Sequence, residues 1–383
     1  MRTLVVVRSL KMGGMERVAV NLADAFHEAG HESHLVSFRK VKRPLAPEHE
    51  GVTVHHLPLQ QRNRLTLIGY GLEVIARLIL NPLLGRALFL GNGIMGGVVF
   101  RHWLKRFEKQ YGKVDRIVFR GIGTFELVWS FSDKRARYVL ENIFHLKGTS
   151  RRRMLFARCL YHRRDLVAVS EGVADSLREA QALWMFRPRS LSVIPNPCPI
   201  RAIRRSMHEH NPQIPEQPYL LNVARLVPAK GHDLLLRAYA LSETQMPLVL
   251  VGDGQERETL ERLAEELGIA ERVIFAGNQQ NPYPWMHRAR LFVLSSRFEG
   301  MGIVLFEALA CGTPVLSVDC PGGVRQILKG ELESCLVERE ASSLAEGINQ
   351  ALASPKPAIR DAWLQDFMPE RVAAAFVSSP SDV

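Results

Sequence analysis

The sequence predicts an α/β protein built from two doubly wound, Rossmann-like domains. Strand-like apolar runs alternate with segments of helical periodicity along almost the whole chain, a pattern typical of parallel α/β sheets. A proline-rich interval divides this alternation into two series. The chain has 383 residues, whereas a single core usually stops growing at about 250 to 300. We therefore place one domain at residues 1–195 and a second at residues 196–362.

The first series opens with a β-turn-α unit. Residues 4–7 form a β-branched run, Gly13 and Gly14 form a turn, and residues 16–29 carry apolar side chains at helical spacing. This opening is typical of a nucleotide-binding half. Further strands of the first domain are expected at residues 35–38, 52–57, 116–119, 137–140 and 166–169.

Six prolines between residues 195 and 218 interrupt the periodicity, so this interval is the expected linker. The alternation then restarts, which predicts a second doubly wound sheet. Its strands are expected at residues 219–224, 248–251, 273–275, 291–294 and 315–318, and its helices at 233–241, 255–267 and 304–310.

Charge is distributed unevenly along the chain. Residues 1–200 contain 32 Lys and Arg against 16 Asp and Glu, a formal charge of +16, whereas the remainder carries −5. A basic first half suggests contact with an anionic partner. Three interpretations remain open: a nucleic acid, an anionic membrane face, or a solvated basic surface.

The composition excludes several classes of protein. The five cysteines form no C-x-x-C pair, which argues against a disulfide framework and against a structural zinc site. The apolar run at the amino terminus is too short for a signal peptide, so we expect a cytoplasmic protein. Charges at Glu73, Arg77, Arg86 and Arg101 interrupt the apolar stretch 65–104 and argue against a spanning helix.

The strongest candidate site is residues 297–314, RFEGMGIVLFEALACGTP, which follow a strand and open a helix near Ile303. Glu299 is expected in the turn and Glu307 one turn into the helix. The free amides at the helix start, with a nearby glycine that permits close approach, are suited to phosphate. The site amides are expected to be those of Gly302, Ile303 and Val304.

This stretch resembles the E-x7-E motif of retaining GT-B glycosyltransferases, with Glu299 and Glu307 as its carboxylates. The resemblance covers nearly the whole chain. It includes GGMERVAVNLADAF, VAVSEGVADSL, VIPNPC, LLNVARLVPAKGHDLLLRAYA and LVGDGQERETLERLAEELG, in the order expected for that family. It implies a GT-B fold, in which the two domains face a cleft, and a final segment, 363–383, that packs back on the first domain.

The resemblance also implies roles for individual residues of the second domain. Arg225 and Lys230 would hold the donor diphosphate, and both cations suit phosphate oxygens. Glu307 would bind the ribose and Glu299 the donor sugar. The backbone at the following two residues would hold the nucleobase: Asn278 and Gln279.

In the first domain, Gly14 would allow acceptor or phosphate to approach closely. Glu141 and Asn142 stand where the family often has a histidine, and His145 follows a little later. Glu299 and Glu141 are therefore our candidate catalytic residues. The chain contains no D-x-D sequence, so we expect donor binding without a metal and without any other cofactor.

The expected function is transfer of a hexose-type sugar, with retention, from a UDP- or GDP-linked donor. The acceptor would be a lipid-linked or phosphorylated saccharide of a bacterial envelope glycan such as lipopolysaccharide, at an anionic inner-membrane surface. A GT-B epimerase that acts on a nucleotide-sugar remains an alternative. A nucleic-acid-binding module is a further alternative, but no helix-turn-helix, zinc-finger or RNP pattern supports it, so no nucleic-acid partner is expected.

Overall fold

The structure is a computed structural model of the chain and describes residues 1–81, 88–144, 146, 148, 150–354 and 358–378. It divides into two compact units. Unit 1 contains Met1–Pro197 and the chain from Pro369 onwards, and unit 2 contains Cys198–Met368. No helix within the described ranges is both long enough and apolar enough to cross a membrane.

Unit 1 is built on a parallel sheet whose strand order is β3-β2-β1-β4-β5-β6-β7. Strand β1 lies inside the sheet between β2 and β4, and its residues Leu4 to Val7 are almost completely buried because helices cover both faces of the sheet. The strand order reverses between β1 and β4. The strands are β1 Arg2–Ser9, β2 Glu32–Arg39, β3 Thr53–His56, β4 Arg116–Arg120, β5 Ala136–Leu140, β6 Asp165–Ala168 and β7 Ser190–Val193.

The helices of unit 1 cover this sheet and pack on one another. Ser150 and Ser170 cap two of them, because each hydroxyl accepts a hydrogen bond from the backbone amide three residues later at 3.2 Å. A π-helical turn, Ala76–Leu80, follows the third helix. The α-helices are α1 Gly14–Glu28, α2 Leu59–Arg64, α3 Leu67–Ile75, α4 Leu88–Tyr111, α5 Ile122–Phe125, α6 Arg151–Tyr161 and α7 Glu171–Trp184.

Unit 2 repeats the same plan, with strand order β10-β9-β8-β11-β12-β13 and every pairing between its strands parallel. The order reverses between β8 and β11. Its strands are β8 Leu220–Val223, β9 Leu248–Val251, β10 Val273–Gly277, β11 Leu291–Leu294, β12 Val315–Val318 and β13 Leu336–Val337. Its α-helices are α8 Ile200–Ser206, α9 His232–Leu241, α10 Arg257–Glu266, α11 Tyr283–Arg288, α12 Ile303–Ala310, α13 Val324–Ile327 and α14 Ala341–Ala353. The predicted class, two Rossmann-like parallel-sheet domains, is confirmed.

The proline-rich interval is more ordered than the predicted linker. The chain passes from unit 1 to unit 2 after Pro197, and α8 lies within the interval. Proline at the residue before a helix is tolerated, because its missing amide would have no intrahelical partner there. Pro199 occupies that position for α8, and Ile200 and Ile203 of this helix are buried.

The final segment, 363–383, is divided between the two units as far as the structure describes it. A 3₁₀ helix, Asp361–Phe367, lies in unit 2, where the amide of Cys198 donates to the carbonyl of Phe367 at 2.7 Å. Helix α15, Pro369–Val377, lies in unit 1 and packs on α1, with the rings of Phe26 and Phe376 6.2 Å apart. Residues 379–383 fall outside the described residues.

Candidate active site

The carboxyl ends of β8 and β11 lie side by side where the strand order of unit 2 reverses. In open α/β sheets this position forms a crevice, because the loops that leave the two strands run to opposite faces of the sheet. The loop after β8 contains Arg225 and Lys230, and the loop after β11 contains Glu299. The fold thus brings these three predicted residues to one edge of one sheet.

Several hydrogen bonds hold the two loops together. The amide of Arg297 donates to the carbonyl of Ala229 at 2.9 Å, and the hydroxyl of Ser295 donates to the carbonyl of Lys230 at 3.1 Å. Gly231 lies between the loop after β8 and α9 and has φ +64. A Cβ at this position would lie 2.1 Å from the carbonyl oxygen of Ser295. Only glycine therefore allows this close approach of the two backbones.

Glu299 is buried, with 8% of its surface exposed. Its Oε1 accepts hydrogen bonds from Nζ of Lys230 and from Oγ of Ser296, each at 2.6 Å. Its amide donates to the carbonyl of Pro321 at 3.0 Å. Charge-assisted bonds of this kind fix the orientation of a carboxylate. The structure thus joins Glu299 and Lys230 in an ion pair, which the sequence did not predict.

Helix α12 begins directly after Gly302, which has φ +82 and precedes the first helical residue, Ile303. The first amides of an α-helix have no intrahelical acceptor and carry the positive end of its dipole. The amides of Gly302, Ile303 and Val304 occupy this position, as predicted from the sequence. An anion of suitable size can accept hydrogen bonds from them.

Glu307 lies one turn into α12 and is half-buried. Its Oε1 accepts a hydrogen bond from the hydroxyl of Tyr283 on α11 at 3.4 Å. Burial, reinforced by the nearby negative charge of Glu307, raises the pKa of the Cys198 and Cys311 thiols. Both thiols are therefore protonated and unreactive at neutral pH.

Asn278 and Gln279 follow β10, two strands from β8 at the same edge of the sheet. Gly277 precedes them with φ +66, a conformation that favours glycine. The side-chain amide of Gln279 donates to the carbonyl of Ala276 at 2.8 Å and to Oε1 of Gln213 at 3.2 Å. The side chain of Asn278 is exposed. The Gln279 side chain is therefore engaged within the chain.

His232, the first residue of α9, is completely buried. Its Nε2 is 3.0 Å from Oδ1 of Asn222, whose Nδ2 donates to the carbonyl of Val293 at 2.8 Å. Burial lowers the pKa of His232 from 6.5 to about 4. A neutral histidine at the start of α9 therefore links that helix to β8 and β11 beside the crevice.

In unit 1 the equivalent reversal of strand order lies between β1 and β4. Gly13 precedes α1, and Gly14 is its exposed first residue, with open space where a Cβ would be. After β4, Gly121 has φ +74, and a Cβ there would lie 2.2 Å from Sδ of Met15. The start of α1 therefore packs closely against the loop after β4 while Gly14 faces open space.

Glu141 follows β5 and forms an ion pair with Arg120, the last residue of β4; Nη2 and Oε1 are 2.6 Å apart. The same Nη2 donates to Oδ1 of Asn196 at 2.7 Å. Arg120 is completely buried, and within the described residues its Nε and Nη1 have no hydrogen-bond partner. Burial raises the pKa of Glu141 and lowers that of Arg120, although each charge stabilises the other.

Arg120 and Asn196 are neighbours of the candidate residue Glu141 that the sequence analysis missed. The signal for Arg120 was a cation at the end of the buried run RIVFR, a position that has to be paired. Asn142 is exposed, and His145, the other candidate for the family's histidine position, lies outside the described residues. In the part of the chain that the structure describes, no three His, Cys, Asp or Glu side chains are grouped as metal ligands.

The region that contains this crevice of unit 2 also has a recognisable family pattern. Residues 204–363 match the family model described as glycosyl transferases group 1. The matched region includes Arg225, Lys230, Glu299 and Glu307, and thus both carboxylates of the E-x7-E stretch.

Curated relatives of this group 1 region come from several bacteria. A Campylobacter jejuni N-acetylgalactosamine-N,N'-diacetylbacillosaminyl-diphospho-undecaprenol 4-alpha-N-acetylgalactosaminyltransferase is 36% identical over 139 residues, which are 36% of this chain and 38% of that protein. A GDP-mannose-dependent phosphatidylinositol monomannoside mannosyltransferase of Mycolicibacterium smegmatis is 34% identical over 37% of this chain and 41% of the relative. The lipopolysaccharide core glycosyltransferase LpsE of Rhizobium meliloti is 36% identical over 36% and 40%. The chain thus spans about two fifths of the length of these relatives.

Solved structures match over the whole chain. HepE from Anabaena, in complex with UDP and glucose, has a TM-score of 0.70 at 19% identity, with 100% of both chains covered. WaaG, a glycosyltransferase involved in lipopolysaccharide biosynthesis, has a TM-score of 0.61 at 19% identity, over 99% of this chain and 100% of WaaG. These likenesses confirm the GT-B fold class.

Proposed function

We propose that the chain is a retaining glycosyltransferase that transfers a hexose-type sugar from a UDP- or GDP-linked donor. The acceptor is a lipid-linked or phosphorylated saccharide of a bacterial envelope glycan, such as a lipopolysaccharide. The observation that carries this proposal is Glu299, fixed by Lys230 and Ser296 at the strand-order reversal of unit 2. This carboxylate lies within the region that matches the group 1 glycosyltransferases.

In this proposal the donor diphosphate lies at the start of α12. The amides of Gly302, Ile303 and Val304 and the cations of Arg225 and Lys230 provide positive charge for the phosphates without a metal. These groups stabilise the diphosphate as it leaves, because they are already oriented towards the oxygens on which negative charge develops. Two further contacts complete donor binding: Glu307 binds the ribose hydroxyls, and the backbone of Asn278 and Gln279 holds the base.

Glu299 contacts the donor sugar and keeps its anomeric carbon oriented. The acceptor hydroxyl then attacks this carbon from the face that the diphosphate leaves, and the departing phosphate oxygen takes the proton. Such a substitution retains the configuration. Glu141 and Gly14 of unit 1 are proposed to act on the acceptor: Gly14 leaves room for it, and Glu141 accepts a hydrogen bond from its hydroxyl.

The nature of the acceptor is inferred from the similar proteins. The names of the three relatives include a diphospho-undecaprenol saccharide, a phosphatidylinositol monomannoside and a lipopolysaccharide core. Each contains a lipid or belongs to a lipid-linked glycan. The basic first half of this chain suits the phosphates of such molecules. We therefore propose that the protein works at the cytoplasmic face of an anionic membrane.

Alanine variants test the donor site. Lys230→Ala and Glu307→Ala should each lower nucleotide release from UDP- and GDP-sugars, in the presence of bacterial membrane lipids, by about a hundredfold or more. Arg237→Ala is the matched control, because Arg237 is an exposed cation on α9. The melting temperatures of all three variants should stay close to that of the wild type. Full activity of Lys230→Ala or of Glu307→Ala would refute the assignment.

Incubation with donor alone distinguishes transfer from epimerisation. A transferase leaves the nucleotide-sugar intact, apart from slow hydrolysis, until an acceptor is added. An epimerase converts the sugar without any acceptor, and chromatography of the recovered nucleotide-sugar would reveal it. Accumulation of an epimer would therefore replace the transferase proposal.

A further inference from the structure

A large apolar surface of unit 1 faces solvent on α3 and the π-helical turn that follows it. Leu67 is 92% exposed, Ile68 70% and Leu78 68%. Contiguous apolar surface of this kind is rare on soluble proteins unless something covers it. We name this surface the α3 face, and its exposed members are Leu65, Leu67, Ile68, Tyr70, Ile75, Leu78 and Ile79.

The packing of this segment is inverted relative to an ordinary surface helix. Its buried positions include the small residues Gly69 and Ala76. Gly91 of α4 approaches so closely that a Cβ there would lie 2.7 Å from the carbonyl oxygen of Leu72 and 3.1 Å from Cβ of Ala76. Small residues inside and large apolar residues outside are typical of helices whose outer face meets lipid.

The charges around the α3 face are mostly positive. Arg62, Arg64 and Arg77 are exposed beside it. Glu73 is the only acidic residue between positions 51 and 107, and Arg64 neutralises it through two hydrogen bonds of 2.8 and 2.6 Å. Long arginine side chains can lie along apolar surface while the guanidinium reaches phosphate. The surface therefore complements an anionic bilayer, with apolar groups at its centre and cations beside them.

We propose that the α3 face inserts into the interfacial layer of an anionic phospholipid bilayer, with Arg62 and Arg77 contacting headgroup phosphates. The proposal deepens the membrane association included in the proposed function and rests on it only for the biological setting. The α3 face lies within unit 1, whereas the candidate donor site lies within unit 2. Vesicle binding and nucleotide binding can therefore be measured, and can fail, separately.

Vesicle flotation with the full chain tests the proposal. Wild-type protein should bind vesicles of phosphatidylcholine that contain about a third phosphatidylglycerol, an anionic lipid. The double variant Leu67→Ser/Ile68→Ser should bind these vesicles at least about tenfold more weakly, since each inserted side chain contributes apolar area. Met185→Ser/Leu241→Ser is the matched control, because both side chains are comparably exposed elsewhere. This control should bind as the wild type does.

A second variant tests the role of the cations. Arg62→Gln/Arg77→Gln should weaken binding to the anionic vesicles by about tenfold or more while leaving binding to pure phosphatidylcholine unchanged, because each cation near an anionic surface adds to the attraction. Raising the salt concentration should weaken binding of the wild type to the anionic vesicles. It should also reduce the difference in affinity between the wild type and Arg62→Gln/Arg77→Gln. Equal loss on both kinds of vesicle would contradict headgroup recognition.

Three outcomes would overturn the proposal: no vesicle binding by the wild type, unchanged binding by Leu67→Ser/Ile68→Ser, or a wild-type dimer that this variant converts to a monomer without any vesicle binding. The last outcome would assign the α3 face to self-association. Thermal shift with UDP and GDP is measured on every variant in parallel. Nucleotide binding without vesicle binding would reject only the proposal that the α3 face inserts into a bilayer. Vesicle binding without nucleotide binding or sugar transfer would reject only the proposed function.

Discussion

Two glycines determine where Glu299 can lie. Gly231 separates the loop after β8 from α9, and Gly322 has φ +127 with its missing Cβ only 1.7 Å from the carbonyl oxygen of Glu299. A methyl group at either position would push a neighbouring backbone away. The hydrogen bonds from Lys230 and Ser296 to the carboxylate depend on this close packing, because their donors lie on the loops involved.

A pair of glycine variants separates steric contact from backbone strain. Gly231 and Gly268 have nearly the same φ, +64 and +68, but a Cβ at Gly268 would meet nothing within 4 Å. Gly268→Ala should lower the free energy of unfolding by about 1 to 2 kcal/mol through strain alone. Gly231→Ala should cost at least about 1 kcal/mol more, because the contact with Ser295 adds overpacking. Urea unfolding measures both, and equal losses would show that the loops move apart freely.

The buried pair in unit 1 invites a double-mutant test. Glu141→Gln should lower stability by about 3 to 5 kcal/mol, because it leaves the guanidinium of Arg120 buried without a counter-charge. Arg120→Met should cost a similar amount for the opposite reason. The double variant Arg120→Met/Glu141→Leu should be more stable than either single variant. If stability returns but sugar transfer does not, the carboxylate acts in the site; recovered transfer would show that Glu141 is purely structural.

The positions of the candidate site residues in the fold could be predicted from the sequence, but their partners could not. Glu299 and Lys230 stand out because each follows a strand in a recognisable stretch, yet their separation of 69 positions along the chain conceals their ion pair. Arg120, Glu141 and Asn196 meet only because three separate strands end at the same edge of a sheet. Such pairings depend on strand order and side-chain packing, which local sequence patterns do not contain.

At the scale of elements, α9 shows how a helix start can be fastened to a sheet. His232, its first residue, is linked through Asn222 of β8 to the carbonyl of Val293 on β11. The link bridges the two strands that border the crevice of unit 2. The Nδ1 atom of His232 is buried without a hydrogen-bond partner among the described residues. Protonation of this atom would therefore place an uncompensated charge in the core.

The stability of the protein should therefore fall on acidification. Because burial lowers the pKa of His232 from 6.5 to about 4, the unfolded chain binds more protons than the folded chain between these values. Stability is then full above pH 6.5 and is lost as the pH falls towards 4. His232→Gln should lose less stability than the wild type over this window. Urea unfolding of both proteins at pH 7.5, 6 and 5 measures the difference, and parallel losses would contradict it.

Periodicity predicted the buried inner strands of both sheets, but it missed the edge strands β7 and β13 and several helices, among them α14. The central strands are buried on both faces and appear as continuous apolar runs, so β1, β9 and β11 were evident. Strand β7 is a half-buried edge strand of four residues, and β13 has only two. Helix α8 was missed because the prolines around it dominate the local pattern. Elements at a sheet edge or beside several prolines owe their structure to neighbours distant in sequence, which periodicity cannot reveal.

For the whole molecule, the charge asymmetry follows the division into units. Counted along the sequence, unit 1 has 33 Lys and Arg against 18 Asp and Glu, and unit 2 has 17 against 21. Unit 2 thus binds no anion through its net charge, and an anionic donor would have to be held by local groups. Unit 1, in contrast, attracts anionic partners as a whole, and this attraction weakens with salt.

Hydrogen exchange on the full chain tests whether local groups of unit 2 hold the anionic donor. Saturating UDP or GDP, whichever raises the melting temperature more, should slow exchange of the amides at residues 302–304, because a bound diphosphate accepts hydrogen bonds from the start of α12. The loop 225–230 should also be protected. The start of α1 in unit 1, residues 13–17, should be unchanged. Uridine or guanosine at the same concentration lacks the diphosphate and should protect α12 far less. Equal protection by nucleoside and nucleotide would mean that the helix start holds no phosphate, and the electrostatic basis of the proposed donor site would be lost.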